Sequence, residues 1–110
     1  MPYARQVDKN HGPIRDRLRE LGFSVADTSG VGKGFPDMVV GGVHRCTGEG
    51  IIVLIEIKRK NGELTPDQVE FHDLWRGFPV FVCRALGDVL VDCFGWTKAE
   101  ADEASTGLEI

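Results

Sequence analysis

The sequence lacks several features that would fix a class of protein at once. No apolar run approaches the roughly 20 residues that a membrane-spanning helix requires, so we expect no membrane partner. The first ten residues have no apolar stretch after their charges, which is not the pattern of a secretory signal. Positive charge is also scarce, with 13 lysines and arginines against 17 acidic residues. This balance excludes a purely electrostatic coat on nucleic acid.

Cysteine is scarce and scattered. Cys46, Cys83 and Cys93 form no CxxC pair and have no histidine at zinc-ligand spacing. We therefore expect free thiols in a reducing, cytoplasmic compartment. Cys83 lies in an apolar run and is interpreted as a small core residue.

Turn and helix-capping signals predict one α/β domain in the 110 residues. Thr65, Pro66 and Gln68 have the pattern of a capping box with proline at the first helical position. The chain should contain, in order, a helix over 13–21, strands over 23–26, 38–43 and 51–58, a helix over 66–76, a strand over 80–84 and a helix over 88–94. This order predicts a mixed central sheet with helices on both faces. We expect residues 1–96 to form the domain and the polar, acidic residues 97–110 to be a flexible tail.

The glycine-rich segment 29–34 fits neither of the phosphate-binding motifs that it superficially matches. A strand rather than a helix follows it, which excludes the dinucleotide-binding pattern. Lys33 is followed by Gly34 instead of serine or threonine, which excludes the P-loop. The segment is interpreted as a flexible connector, and Lys33 remains a candidate substrate contact because glycine allows a substrate backbone to approach closely.

Two basic clusters interrupt the acidic composition. They are Arg15, Arg17 and Arg19 in the first predicted helix, and Lys58, Arg59 and Lys60 at the end of a predicted strand. For the first cluster, a solvated helix face and a phosphate contact are equally open interpretations. In the second cluster, Arg59 and Lys60 are candidate substrate contacts.

The run Ile51–Lys58 has the pattern of a central strand that ends in charge. Its odd-numbered and even-numbered positions, which point to opposite faces of a strand, are both mainly apolar, as expected of a strand buried on both faces. Because side chains alternate along a strand, Glu56 and Lys58 share one face. A carboxylate and an ammonium group together at the end of a buried strand suggest a functional role.

A predicted hairpin brings a second carboxylate to the same place. If its turn centres near Cys46 and Thr47, residues whose numbers sum to about 93 lie opposite each other, and Asp37 and Glu56 satisfy this sum. Two carboxylates held that close repel each other unless a cation or a proton lies between them. With Lys58 beside them and no thiol or imidazole nearby, hard oxygen ligands favour Mg²⁺ or Mn²⁺.

This combination is suited to phosphodiester hydrolysis. The metal ion polarises a phosphoryl oxygen and lowers the pKa of a bound water. Lys58 would orient or deprotonate the attacking water and offset the charge that develops on the phosphorane.

The same residues resemble a known nuclease motif. Phe35-Pro36-Asp37, followed 19 positions later by Glu56-Ile57-Lys58, is similar to the PD-(D/E)xK motif. The segments GFPDMVVGG, IEIKRKNGELTPDQVEFHDLW and GFPVFVCRA resemble the stand-alone VRR-NUC nucleases of phages and bacteria. The resemblance covers residues 8–90 and includes the downstream TPxQ, which makes the combination specific.

The resemblance implies a set of site residues. Asp37 and Glu56 would bind the metal ion with the backbone carbonyl of Ile57, and Lys58 would be the catalytic lysine. Gln68 matches a glutamine that lies beside the active centre in the family, and its capping role is compatible with that position. Family members often carry an auxiliary glutamate ligand on the first helix, and here the nearest counterpart is Asp8.

The resemblance also implies a fold and an activity. We expect a restriction-endonuclease-like fold and Mg²⁺- or Mn²⁺-dependent cleavage of DNA that is structure-specific for branched DNA. The products would carry 5′-phosphate and 3′-hydroxyl ends, and the expected compartment is the cytoplasm of a bacterium or a phage-infected cell. Two alternatives stay open. One is a Holliday-junction resolvase with the same centre, and the other is a DNA-binding or assembly module without catalysis. The complete set of catalytic residues argues against the second.

Stand-alone family members pair much like junction resolvases, so a homodimer is expected. The predicted last helix offers an apolar face for this contact, made of Val89, Leu90, Cys93 and Phe94. The alternative is a monomer in which the acidic tail folds back over this face.

Four other residues are interpreted as structural. His72 is more simply a partly buried histidine than a general base, because its helix also carries Trp75. Asp67 and Glu70 are interpreted as helix-surface charges, and Trp96 as a packing residue rather than a platform for base stacking.

Overall fold

The computed structural model describes residues 9–108. The elements are α1 (His11–Glu20), β1 (Ser24–Asp27), β2 (Met38–Val43), β3 (Gly50–Ile57), α2 (Pro66–Leu74), β4 (Val80–Cys83), α3 (Leu86–Asp88), which continues as a π-helical turn over Val89–Cys93, and α4 (Lys98–Ala104). The strands form one sheet in the order β1-β2-β3-β4. β1, β2 and β3 pair antiparallel, whereas β4 is parallel to β3. The predicted mixed α/β sheet is therefore confirmed.

No helix among residues 9–108 is long and apolar enough to cross a bilayer.

Local sequence signals explain where the helices begin and end. α1 ends at Glu20, and Gly22 follows with a φ of 97°, a conformation that glycine adopts at low cost. α2 begins after Thr65, whose hydroxyl accepts a hydrogen bond from the backbone N–H of Gln68. Pro66 occupies the first helical position, where its missing N–H costs nothing.

The hydrophobic core lies on one face of the sheet. The strands contribute alternate residues to this face, and α1, α3 and the π-helical turn cover it. The most deeply buried apolar side chains are Ile14, Leu18, Met38, Val40, Val53, Ile55, Ile57, Leu86, Val89, Leu90 and Phe94. Cys83 and Cys93 belong to the same core with their sulfur atoms 4.0 Å apart, and all three cysteines carry free thiols. The hydrogen bond with Cys93, together with burial, raises the pKa of Cys83, which keeps it protonated.

The opposite face of the sheet carries α2, which covers it only in part. Within α2, Gln68 is the one buried residue, and it lies over the end of β3 that carries Glu56. Four residues earlier on the same face, Ile52 is 66% exposed. The apolar side chains of Val69 and Leu74 in α2 are exposed as well.

The prediction that residues 89–94 carry an exposed pairing surface is wrong. Val89, Leu90 and Phe94 are fully buried and Cys93 is 3% exposed, so they belong to the chain's own core. The ring of Phe94 lies 4.7 Å from that of Phe23. An amphipathic pattern reports an apolar face but does not report which surface covers it.

Residues 97–108 differ from the expected flexible tail. Thr97 and Glu100 form a capping box that starts α4, in which Ala101 is 1% exposed. Leu108 packs against the core, and the guanidinium of Arg17 donates hydrogen bonds to the carbonyl oxygens of Ala104 and Thr106. The acidic composition suggested a tail, whereas the buried face of α4 and these hydrogen bonds decide the structure.

The arginines of α1 have structural partners among residues 9–108. Arg15 pairs with Asp16 and Asp27, and Arg19 donates to the carbonyl of Val25. Together with the contacts of Arg17, these bonds tie α1 to β1 and α4. This accounts for the first basic cluster without a phosphate ligand.

Candidate active site

The register of the β2–β3 hairpin brings the two candidate carboxylates together. Its pairs run from Met38 opposite Ile55 to Val43 opposite Gly50, and the residue numbers of every pair sum to 93. The predicted register is therefore confirmed. One step beyond the pair of Met38 and Ile55, the same register places Asp37 opposite Glu56, at the edge of the sheet where β3 and β4 end.

Asp37 is held by the backbone of the neighbouring strand. Its side chain is 3% exposed, and its Oδ2 accepts a hydrogen bond of 2.7 Å from the N–H of Ile57. Ile57 is the residue between Glu56 and Lys58, so this bond joins the two halves of the sequence motif. Thr28 fixes the backbone from the other side, since its N–H donates to the carbonyl of Asp37 and its hydroxyl donates to that of Pro36.

Glu56 and Gln68 form a buried hydrogen-bonded pair. Glu56 is 2% exposed, and its Oε2 accepts a hydrogen bond of 3.1 Å from Nε2 of Gln68. The other end of the same amide, Oε1, accepts the N–H of Thr65 at 2.8 Å. Gln68 therefore closes the capping box and contacts the carboxylate at the same time.

Lys58 continues the strand pattern by one residue. Its N–H donates to the carbonyl of Cys83 at 3.0 Å, so the pairing with β4 extends beyond the last residue of β3. Strand alternation then keeps Lys58 on the same face as Glu56. The residue is half-buried.

The glycine-rich loop packs against the start of α2 and is more than a connector. Gly34 is buried with a φ of 80°, and a Cβ atom there would overlap the carbonyl oxygen of Asp67. The ring of Phe35 packs edge-on against that of Phe71 at 5.4 Å. Lys33 is exposed with a φ of 55°, which is uncommon for a residue with a side chain.

The other candidate substrate contacts lie in a turn that follows Lys58. The N–H of Gly62 donates to the carbonyl of Arg59 at 3.0 Å, which closes the turn. Arg59 and Lys60 are exposed there, beside a shallow cleft of about 350 Å³ that Asn61 and Gly62 complete. Asp8, the candidate auxiliary ligand, lies outside the described residues.

The residues interpreted as structural differ in their environments. Burial lowers the pKa of His72, which favours the neutral imidazole. The rings of Trp96 and Phe23 lie 6.0 Å apart, and the guanidinium of Arg45 stacks 3.5 Å from the Trp96 ring centre. Asp67 and Glu70 are exposed.

Sequence reasoning missed three polar residues at this edge of the sheet. Asn10 and His11, at the start of α1, are only 6% and 4% exposed. Asn10 donates through Nδ2 to the carbonyl of Arg84 at 3.2 Å. Arg84 directly follows β4, as Lys58 follows β3. A polar residue directly after a strand parallel to β3 is the signal that would have identified Arg84.

The residues at this edge fit a hard divalent cation. Among residues 9–108, no three histidine, cysteine, aspartate or glutamate side chains converge on one point. The expected ligand set needs only two carboxylates and a backbone carbonyl, because Mg²⁺ usually keeps several waters. The hydrogen bonds to Asp37 and Glu56 are compatible with this, since a carboxylate has about four acceptor positions.

Comparisons with known proteins add no relative. No protein-family profile, no curated protein and no solved structure matches the chain significantly.

Proposed function

We propose that this chain is a metal-dependent nuclease that hydrolyses DNA phosphodiester bonds, with a restriction-endonuclease-like fold and a VRR-NUC type of centre. One observation carries the proposal. The carboxylate of Asp37 accepts the N–H of Ile57, directly between Glu56 and Lys58, so the separated motif halves meet at one buried point. The mixed sheet flanked by helices is compatible with the proposed fold.

The burial of the acids supports a cation at this point. Asp37 and Glu56 are 3% and 2% exposed, and a buried ionised carboxylate is costly unless it is paired, hydrogen-bonded or bound to a metal ion. Hydrogen bonds from Ile57 and Gln68 offset part of this cost. Both acids are hard oxygen ligands, which suits Mg²⁺ or Mn²⁺.

Each residue then has a distinct role in the proposed reaction. When bound, the metal ion supplies Lewis-acid polarisation of the scissile phosphate and a more acidic water. Asp37 and Glu56 fix the position of the cation, and Gln68 orients the carboxylate of Glu56. Lys58 orients the attacking water, or takes a proton from it, and stabilises the charge that develops in the transition state.

The experiment that tests the proposal combines metal binding with cleavage. Isothermal titration with Mn²⁺ should give weaker binding for Asp37→Asn and Glu56→Gln than for the wild type. Lys58→Ala should retain most affinity for DNA and for Mn²⁺ but lose at least about a hundredfold in cleavage rate, since it removes a group that acts mainly in the transition state. EDTA should abolish cleavage of duplex, flap, splayed and four-way DNA.

Matched controls separate these effects from general loss of charge. Glu70→Gln removes an exposed acid from α2, and Lys98→Ala removes an amine that is 85% exposed on α4. Both variants should behave like the wild type. If the wild type cleaves none of these substrates in Mg²⁺ or Mn²⁺, the proposal of a nuclease is wrong. Near-normal turnover by Lys58→Ala would exclude the proposed mechanism.

A further inference from the structure

Arg84 organises the turn that follows Lys58. Its guanidinium Nη1 lies 2.6 Å from the carbonyl oxygen of Arg59, 2.8 Å from that of Gly62 and 3.3 Å from that of Lys60. One terminal nitrogen therefore reaches the three carbonyls of a turn that is already closed by the bond from Gly62 to Arg59. The turn is bound through its backbone, which leaves the side chains of Arg59 and Lys60 exposed.

The backbone of Arg84 is held in place on both sides. Its N–H donates to the carboxylate of Asp88 at 2.8 Å, and its carbonyl accepts the buried amide of Asn10 at 3.2 Å. The preceding carbonyl, that of Cys83, accepts the N–H of Lys58. Arg84 thus joins the end of β4 and the start of α1 to the segment directly after Lys58.

Basic residues outnumber acidic ones around the turn, where Glu63 follows Gly62 and Asp88 contacts the backbone N–H of Arg84. Lys58, Arg59, Lys60 and Arg84 lie close together in a chain whose formal net charge is −4. Among residues 9–108, the guanidinium of Arg84 donates hydrogen bonds to the carbonyl oxygens of the turn. A local basic surface of this kind attracts a polyanion despite the negative net charge.

We propose that Arg84 is a positioning residue that holds the Arg59–Gly62 turn as a binding site for a backbone phosphate next to the scissile one. The proposal rests on the proposed nuclease function and adds a substrate contact to it. The planar guanidinium reaches several acceptors in a fixed geometry, whereas a lysine ammonium is a flexible point charge. A lysine at position 84 would therefore keep the positive charge without holding the turn as arginine does.

The first test measures substrate binding and turnover separately. Arg84→Met should raise KM and the Kd for a duplex by about tenfold, with kcat changed by less than about threefold, because uniform binding is lost rather than transition-state stabilisation. Arg84→Lys should recover less than half of the loss. Arg45→Met is the charge-matched control, because Arg45 lies beyond β2 at the hairpin turn.

The second test uses salt dependence and a double-mutant cycle. Each lost phosphate contact lowers the slope of log K against log salt by about 0.9. The double variant Arg59→Ala, Lys60→Ala should reduce the magnitude of this slope by the equivalent of about two phosphate contacts. Arg84→Met alone should reduce it by nearly as much. Adding Arg84→Met to the Arg59/Lys60 variant should then change Kd by less than about twofold. Additive effects would mean that Arg84 contacts phosphate directly, which would overturn the positioning role.

A third measurement separates this inference from the nuclease proposal. In the DNA-free protein, hydrogen exchange at the amide of Gly62 should accelerate at least about tenfold in both Arg84→Met and Arg84→Lys, because the turn loses its clamp. Unchanged exchange, or full recovery of Kd by Arg84→Lys, would overturn the inference even if the enzyme cleaves DNA. If the wild type neither binds nor cleaves DNA, the nuclease function and the phosphate site fail together, whereas the exchange data still decide whether Arg84 holds the turn.

Discussion

At the scale of single residues, Gly34 has a conformation and a neighbour that exclude any side chain. Its φ is 80°, and an added Cβ would overlap the carbonyl oxygen of Asp67 at the start of α2. Gly34→Ala should therefore lower the free energy of unfolding by about 2–4 kcal/mol, from backbone strain plus steric overlap. Urea denaturation gives this value. Gly30→Ala is a matched control in the same loop, because a Cβ there meets nothing within 4 Å. Equal losses in both variants would show that Gly34 is not docked against α2.

His72 should give the protein a stability that depends on pH. Burial lowers its pKa below the ordinary value of 6.5, so the unfolded chain binds a proton more readily than the folded one. The contribution of His72 is therefore fully favourable above about pH 6.5 and is lost as the pH falls towards its folded pKa. Thermal melts from pH 7.5 to 5 should show a decline that His72→Gln reduces. A variant with the same pH dependence as the wild type would exclude this role.

At the scale of elements, α4 differs most from what its composition predicts, because the acidic composition predicts a flexible tail whereas the structure has a docked helix. Ala101 is 1% exposed on its inner face, whereas Ala99 is exposed two residues earlier. Ala101→Asp buries a charge and should lower the free energy of unfolding by about 2–4 kcal/mol. Ala99→Asp should change it by less than about 0.5 kcal/mol. Chemical denaturation of both variants tests whether α4 is docked in solution, and equal stabilities would argue that it is not.

At the scale of the whole molecule, the homodimer remains a proposal. It needs a surface other than residues 89–94, which are buried in the core. The largest exposed apolar side chains around α2 are Val69 at 47%, Leu74 at 73%, Trp75 at 40% and Phe78 at 65%. With the surface areas typical of such side chains, the four together expose roughly 500 Å². A standard interface buries ~800 Å² per partner, so this patch would supply more than half of that area. We propose a second copy of this chain as the occupant, since two nuclease centres related by a two-fold axis would cut both strands of a junction.

Light scattering at micromolar concentration tests this pairing. The wild type should have about twice the chain mass of 12.1 kDa, and Leu74→Glu should have the mass of a single chain. Val43→Glu is the control, because Val43 is 59% exposed at the hairpin, away from α2. A wild-type mass near that of one chain would exclude the homodimer at this concentration.

The sequence by itself determined the hairpin and the place of its two carboxylates. Strand alternation has a period of two, and a turn centred near Cys46 and Thr47 sets the register for every pair up to Asp37 and Glu56. The capping box at Thr65 determined the start of α2 in the same local way. These features depend on residues close in sequence, so they are readable without a fold.

Only the tertiary structure decided what covers these elements and what meets across them. Gln68 reaches Glu56, and Arg84 reaches the turn after Lys58, because α2 returns the chain to lay β4 parallel beside β3. The apolar face at Val89–Cys93 became core rather than a pairing surface for the same kind of reason. Burial depends on which distant segment packs against a face, and the local pattern of polar and apolar residues does not encode that choice.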